Sequence, residues 1–153
     1  GFNFREPAPF NYDVSLGAAL LEPTRIYVRS CLSAIKNGGV HAIAHITGGG
    51  IPENLPRVLP KNTSAHIDAS QWSAPPIFKW LKRVGNVPIT EMYRTFNCGI
   101  GMALVAANEK VDSLTSILTK QGETVHIIGE IKALGSESQS IIIENIEAPL
   151  ADE

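Results

Sequence analysis

The chain has 153 residues and a formal net charge of −2 at pH 7, with 44% apolar and 18% charged residues. This length and composition suit one packed domain and argue against disorder. The lysines and arginines are spread along the chain without the basic patch that nucleic acid requires, and no apolar run approaches the roughly 20 residues that span a bilayer. We therefore expect neither nucleic acid nor a membrane as a partner.

The first part of the chain lacks a sustained hydrophobic period. Residues 1–15 are rich in proline and aromatic side chains and are expected to form an arm or interdomain linker, followed by a domain over residues 16–153. The segment 24–36 then predicts an amphipathic helix. Its apolar side is expected to carry Ile26, Tyr27, Cys31, Leu32 and Ile35.

Helices and strands interleave along the rest of the chain. The final two predicted strands, with a polar turn at Gly135–Ser136 between them, either form a hairpin or join a mixed sheet. The pattern predicts an α/β (α+β) fold in which a mixed sheet is flanked by helices. In chain order we predict a strand over 40–46, a short helix through 57–59, a strand over 64–68, helices over 75–84 and 90–96, a strand over 99–107, a helix over 111–120, and strands over 125–134 and 140–146.

A run of three glycines directly follows the first of these strands. Gly48, Gly49 and Gly50 allow backbone conformations in which successive amides converge on an anion. Arg57, about one helical turn further on, can pair with a phosphate in a bidentate manner. Glu53 and Asn54 between them are suited to contact a hydroxyl, an amide or a metal-bound water. The alternative is an ordinary turn with a helix cap, because short glycine patterns often occur without a ligand.

A second candidate segment lies over residues 92–102. Arg94, Thr95 and Asn97 are expected to line a polar pocket, although an isolated arginine more often pairs with a surface carboxylate. Gly99 and Gly101 do not form a dinucleotide fingerprint, because they precede a strand instead of following one.

The cysteines and histidines give weaker signals. Cys31 and Cys98 are expected to be reduced thiols of a cytoplasmic protein, and Cys98 a buried thiol and not a nucleophile. The four histidines do not have metal-ligand spacing with Cys98, so no metal site is expected within this chain. Trp72 and Trp80 are expected to be core or interface aromatics.

Four segments in the same order resemble aminoimidazole ribonucleotide (AIR) synthetase, the phosphoribosylformylglycinamidine cyclo-ligase. They are Leu21–Val28, His41–Gly50, Glu53–Pro60 and Glu91–Met102. The resemblance extends over roughly Leu16–Ile146 and implies the C-terminal domain of that family, an α/β sandwich with the glycine loop at an interdomain cleft.

The resemblance also implies a reaction. The family uses ATP and Mg²⁺ to close the imidazole ring of formylglycinamidine ribonucleotide in purine biosynthesis, giving AIR, ADP and phosphate. It implies that ATP and Mg²⁺ bind mainly through an N-terminal domain that this chain lacks, and that the full-length protein is a homodimer. This chain alone is then expected to be inactive.

The expected site residues follow from the matching segments. The catalytic residues, including any general base, stay unassigned. Two alternatives stay open: a related enzyme of the same plan (formylglycinamidine ribonucleotide synthetase, selenophosphate synthetase or thiamine-monophosphate kinase), and a non-catalytic module that binds a phosphorylated metabolite. The residues expected to bind substrate or phosphate are Thr47, Gly48, Gly49, Gly50, Glu53, Asn54, Arg57, Arg94 and Asn97.

Overall fold

The computed structural model describes residues 1–134 and 140–151. Within them, helices accompany antiparallel and mixed sheets, which confirms the α+β class. The predicted turn at Gly135–Ser136 lies outside the described residues. None of the helices in the described part is long and apolar enough to cross a membrane.

The N-terminal segment contains regular structure. Strands β1 (Pro7–Ala8) and β2 (Asn11–Ser15) pair antiparallel and lead into helix α1 (Leu16–Leu20), where the Ser15 hydroxyl accepts a hydrogen bond from the Ala18 amide. Ala8 and Leu16 are buried against Trp80 of helix α4 (Pro76–Gly85). The aromatic, proline-rich sequence thus packs against the domain through a small apolar cluster of its own.

Helix α2 (Val28–Asn37) begins later than predicted and buries a different face. Its packing partner is helix α6 (Val111–Lys120), and Ala34 is fully buried against Leu114 and Leu118. A small side chain at that contact lets the two helices approach closely. The expected inward residues Leu32 and Ile35 are both 50% exposed, so that part of the prediction was wrong.

A two-stranded antiparallel sheet lies next to this helix pair. Strand β3 (Val40–His45) pairs with β5 (Met102–Ala106), so that Ile43 is opposite Leu104. Strand β5 starts at residue 102 and not at 99, because Cys98 and Gly99 have positive φ angles of 47° and 102° and turn the chain.

The second sheet is mixed. Its central strand β4 (Thr63–Asp68) pairs antiparallel with β6 (Gly129–Ala133) and parallel with β7 (Ile141–Glu144). The predicted mixed sheet is therefore confirmed. The hairpin alternative was wrong, because β4 separates the last two strands.

The main core lies between these sheets and the connecting helices. It includes Ile46, Ile51, Ala65, Trp72 and Met92. Helix α3 (Gly50–Asn54) and the following 3-10 turn (Leu55–Val58) lie after β3, and helix α5 (Ile89–Thr95) packs against α3. This packing brings the two candidate segments of the sequence together.

Candidate functional site

The three glycines form a tight turn between β3 and α3. The Gly50 amide donates to the Thr47 carbonyl at 2.9 Å, and Gly49 and Gly50 have φ angles of 94° and 56°. Thr47 and Gly48 are exposed, so the turn lies at the surface and not within packed hydrocarbon. Within residues 1–134 and 140–151, the Gly48 and Gly49 amides donate to no protein acceptor. They are therefore available to an external anion.

Asn54 holds this turn in shape. Its side chain is 7% exposed, and its amide nitrogen donates to the Gly50 carbonyl at 2.8 Å and to the Gly48 carbonyl at 3.1 Å. A third, longer contact of 3.4 Å reaches the Thr47 carbonyl. Sequence reasoning had assigned Asn54 to the cleft wall with Thr47 and the glycines. In the structure its amide group is occupied by the turn itself, so it positions the residues that can contact a ligand.

Gly50 joins the turn to the second candidate segment. A Cβ atom at position 50 would overlap the carbonyl oxygen of Tyr93, and it would lie 2.8 Å from the carbonyl oxygen of Phe96. Tyr93 is itself fixed, because its side chain is buried and its hydroxyl donates to the Ile146 carbonyl at 3.1 Å. Two segments more than 40 residues apart in sequence are thus packed backbone to backbone.

A charged cluster lies beside the turn, and it unites three of the predicted site residues. One oxygen of Glu53 lies 3.8 Å from an Arg57 nitrogen, and the other lies 3.7 Å from the Arg94 Nε. Arg94 also lies 3.8 Å from a carboxylate oxygen of Glu91. The side chains of Glu53, Arg57 and Arg94 are 47%, 64% and 68% exposed. The guanidinium groups of Arg57 and Arg94, which lie on different elements, therefore adjoin the same solvent-accessible region around Glu53.

Asn97 has a local role in the structure. Its side-chain oxygen accepts a hydrogen bond from the Gly99 amide at 3.0 Å, and its carbonyl accepts one from Ile100 at 3.0 Å. These bonds close the turn before β5. The carbonyl oxygen of Phe96 would lie 2.8 Å from a Cβ atom at position 50, so Asn97 directly follows a residue that is packed against the glycine turn. Its role in ligand binding stays a prediction.

Cys98 is a structural residue, as predicted. Its thiol is fully buried and lies 3.5 Å from the Met92 carbonyl, while its own carbonyl accepts a hydrogen bond from the Trp72 indole at 3.0 Å. Burial raises the pKa of the thiol to about 12. A group that stays protonated at neutral pH is a poor nucleophile. Trp72 and Trp80 are also buried, as expected.

Two of the four histidines lie on the same strand. His41 and His45 are both on β3, and the His45 ring packs edge-on against Tyr27 with centroids 5.9 Å apart. In the described ranges, no group of three or more histidine, cysteine, aspartate or glutamate side chains is arranged to hold a metal ion.

A large cavity, which the sequence did not predict, lies beside the 3-10 turn that carries Arg57, and none of the three glycines lines it. Its volume is about 1320 Å³, and strand β5, helix α6 and residues 122–131 supply much of its wall. Arg25 and Glu123 form a salt bridge of 2.8 Å at its lining. The arginine in its lining, Arg25, is already paired by a partly buried carboxylate, whereas the Gly48 and Gly49 amides of the turn have no acceptor among the described residues, so the turn is the better candidate for an anion site. The pairing of Arg25 with Glu123 spans 98 positions, so no local pattern could reveal it.

Comparison with known families agrees with the fold. The family model described as AIR synthase related protein, C-terminal domain, matches residues 2–141. Because this match covers most of the chain, the chain belongs to that family. Members of the family are generally ATP-using enzymes, and they include more than one activity.

Proposed function

We propose that this member of the AIR synthase related family is the C-terminal half of a phosphoribosylformylglycinamidine cyclo-ligase. That enzyme uses ATP to activate the formyl oxygen of formylglycinamidine ribonucleotide, and the amidine nitrogen then closes the imidazole ring. The four ordered sequence segments support this particular member of the family, and the Arg94–Gly99 run in particular favours the cyclo-ligase over its relatives.

The observation that carries the proposal is the convergence of Arg57 and Arg94 beside the glycine turn. A phosphate of the substrate or nucleotide would pair with the two guanidinium groups, since planar donors on fixed elements suit phosphate oxygens. The Gly48 and Gly49 amides, unpaired among the described residues, would supply further donors from the turn. Thr47 is exposed at the edge of the same turn.

The chain's contribution to the reaction would then be positioning and charge neutralisation. A phosphate held in a fixed geometry lowers the activation barrier, because the reacting groups are already oriented. Hydrogen-bond donors that are already in position stabilise the charge that develops as the ring closes. We propose no general base among the residues at the turn, where Glu53 is the carboxylate beside the two arginines.

The side chains beside the turn are better suited to bind the phosphates of ATP than to bind Mg²⁺. The Glu53 carboxylate lies between two guanidinium groups, and this arrangement supports the proposal that a phosphate group would find suitable partners there. The described part of the chain holds no cluster of three acidic or histidine ligands. We therefore propose that Mg²⁺, which neutralises the phosphates in such transfers, has its ligands on the N-terminal half.

An apolar surface on this chain fits a partner domain. On α2 and the segment before it, Leu21 and Ile26 are more than 80% exposed and Val28 is 63% exposed. Contiguous exposed apolar side chains commonly mark interaction surfaces. We propose that the N-terminal half of the enzyme packs on the chain, that the full-length enzyme is a homodimer, and that the chain alone is inactive.

Reconstitution tests this proposal. The chain would be mixed with the N-terminal half of a cyclo-ligase and assayed for AIR formation from formylglycinamidine ribonucleotide and ATP. We expect AIR only when both halves are present. ATP consumption would be compared with the substrates of the related synthetases and kinases of the family. Consumption with one of those substrates, and none with formylglycinamidine ribonucleotide, would refute the cyclo-ligase assignment.

A further inference from the structure

The arginine pair beside the glycine turn already has an anionic partner from the chain itself. Glu53 uses one carboxylate oxygen for Arg57 and the other for Arg94. The two arginines lie on different elements, the 3-10 turn after α3 and helix α5. With Glu91 included, the cluster contains two positive and two negative side chains and is neutral overall.

Glu53 also lies across the turn. A Cβ atom built on Gly49 would be 2.7 Å from a carboxylate oxygen of Glu53 and 2.9 Å from its Cβ. The carboxylate therefore occupies the space that adjoins both the turn backbone and the two guanidinium groups. An incoming anion that uses these donors has to take this space.

The existing ion pairs are weak enough to be exchanged. Their nitrogen–oxygen distances of 3.7 and 3.8 Å are longer than those of direct charge-assisted hydrogen bonds, and all three side chains are substantially exposed. Exposed pairs of this kind contribute little, and solvent screens them. A phosphate dianion carries more charge than one carboxylate and can accept bidentate hydrogen bonds from each arginine.

We infer that Glu53 is an exchangeable internal counter-ion, which pairs with Arg57 and Arg94 in the free protein and is displaced by the phosphate group of the ligand. The inference rests on the proposed function for the location of the ligand. Glu53 then sets both the affinity and the selectivity of the site. A dianionic phosphate monoester displaces it, whereas a ligand with a single carboxylate gains nothing over Glu53 itself.

A pair of matched substitutions tests this role. Glu53→Gln removes the charge shared by the two arginines, and Glu91→Gln makes the same charge change beside Arg94 alone. Both side chains are about half exposed, so both variants are expected to fold. Binding of inorganic phosphate and of acetate to the 153-residue chain would be measured by calorimetry at low ionic strength.

We expect Glu53→Gln to bind phosphate about three- to tenfold more tightly than the unmodified chain, since two exposed ion pairs no longer compete. Glu91→Gln is expected to change the logarithm of the phosphate affinity by less than half as much as Glu53→Gln does. Acetate is expected to gain affinity in Glu53→Gln as well, because the competing carboxylate is absent.

Three results would overturn the inference. Weaker phosphate binding by Glu53→Gln would show that Glu53 contacts the ligand instead of competing with it. Equal effects of the two substitutions would show a general charge effect. Absence of phosphate binding by the chain and by Glu53→Gln would show that no exchangeable anion site exists here. None of these results depends on AIR formation, so the proposed function can fail or stand separately.

Discussion

The backbone of Gly50 lies so close to the Tyr93 carbonyl that no other residue fits at position 50. This contact holds the glycine turn against helix α5, and it places Arg57 and Arg94 on either side of Glu53. The third glycine of the run thus has a packing role, while Gly48 has open space around it.

Substitutions of these two glycines should therefore differ strongly. We expect Gly50→Ala to lower the free energy of unfolding by about 2–5 kcal/mol, from overpacking together with a left-handed backbone conformation. A Cβ atom at position 48 would have no other atom within 4 Å, and Gly48 has no positive φ. Gly48→Ala should therefore change the free energy of unfolding by less than about 1 kcal/mol. Urea unfolding of both variants checks this prediction, and equal losses would contradict the packing role of Gly50.

Asn54 should be important for the stability of the glycine turn. Asn54→Ala removes the donor to three carbonyl groups and should destabilise the chain by about 1–3 kcal/mol, because a buried acceptor loses its partner. Asn54→Asp keeps the size but sets a carboxylate against those carbonyls, and should be at least as costly. Thermal unfolding measures both effects. A fully stable Asn54→Asp variant would show that the amide does not hold the turn.

The two arginines should carry phosphate recognition in the reconstituted enzyme. We expect Arg57→Gln and Arg94→Gln each to lower kcat/KM by about 10- to 100-fold, the effect of losing one charged hydrogen-bond partner. Lys120→Gln at the end of α6 is the control, because it removes one positive charge at another exposed side chain. Steady-state kinetics with both halves present checks the prediction. A Lys120 variant as impaired as the other two would indicate a general loss of positive charge.

The buried Cys98 and Tyr93 should make the fold sensitive to alkaline pH. Burial raises the pKa of the Cys98 thiol from 9.0 to about 12, and burial with the charges of Cys98 and Glu147 raises the pKa of the Tyr93 phenol. Above pH 9 the unfolded chain loses protons that the folded chain keeps, so stability should fall as pH rises toward 12. Unfolding free energies between pH 7 and 10.5 test this, and Cys98→Ala should show a shallower decline than the unmodified chain. Equal declines would contradict the assignment to Cys98.

The outward face of α2 should promote association of the chain. Val28, Leu32 and Ile35 follow one another at helical spacing and are each at least 50% exposed. We expect concentration-dependent association by analytical ultracentrifugation, and Leu32→Glu should reduce it without loss of stability. Val84→Glu, at an exposed position of α4, is the control and should leave association unchanged. Equal effects of the two substitutions would indicate a contribution from net charge alone.

Local pattern predicted helix α6 at its observed bounds and strand β4 to within one residue. It predicted Leu32 and Ile35 of α2 wrongly as inward residues, because α2 packs against α6 through the small side chain of Ala34 and not through the largest apolar ones. Hydrophobic periodicity assigns large apolar residues to the buried face of a helix, and it cannot show where small residues allow two helices to approach closely.

The sequence by itself determined the class of fold, the family, the buried state of Cys98 and the presence of a glycine turn followed by an arginine. All of these depend on residue type and spacing along one segment. Only the tertiary structure decided that Asn54 braces the turn, that Asn97 closes a separate one, and that Glu53 stands between Arg57 and Arg94. Those relationships depend on the packing of α3 against α5, which unites segments that are distant along the chain.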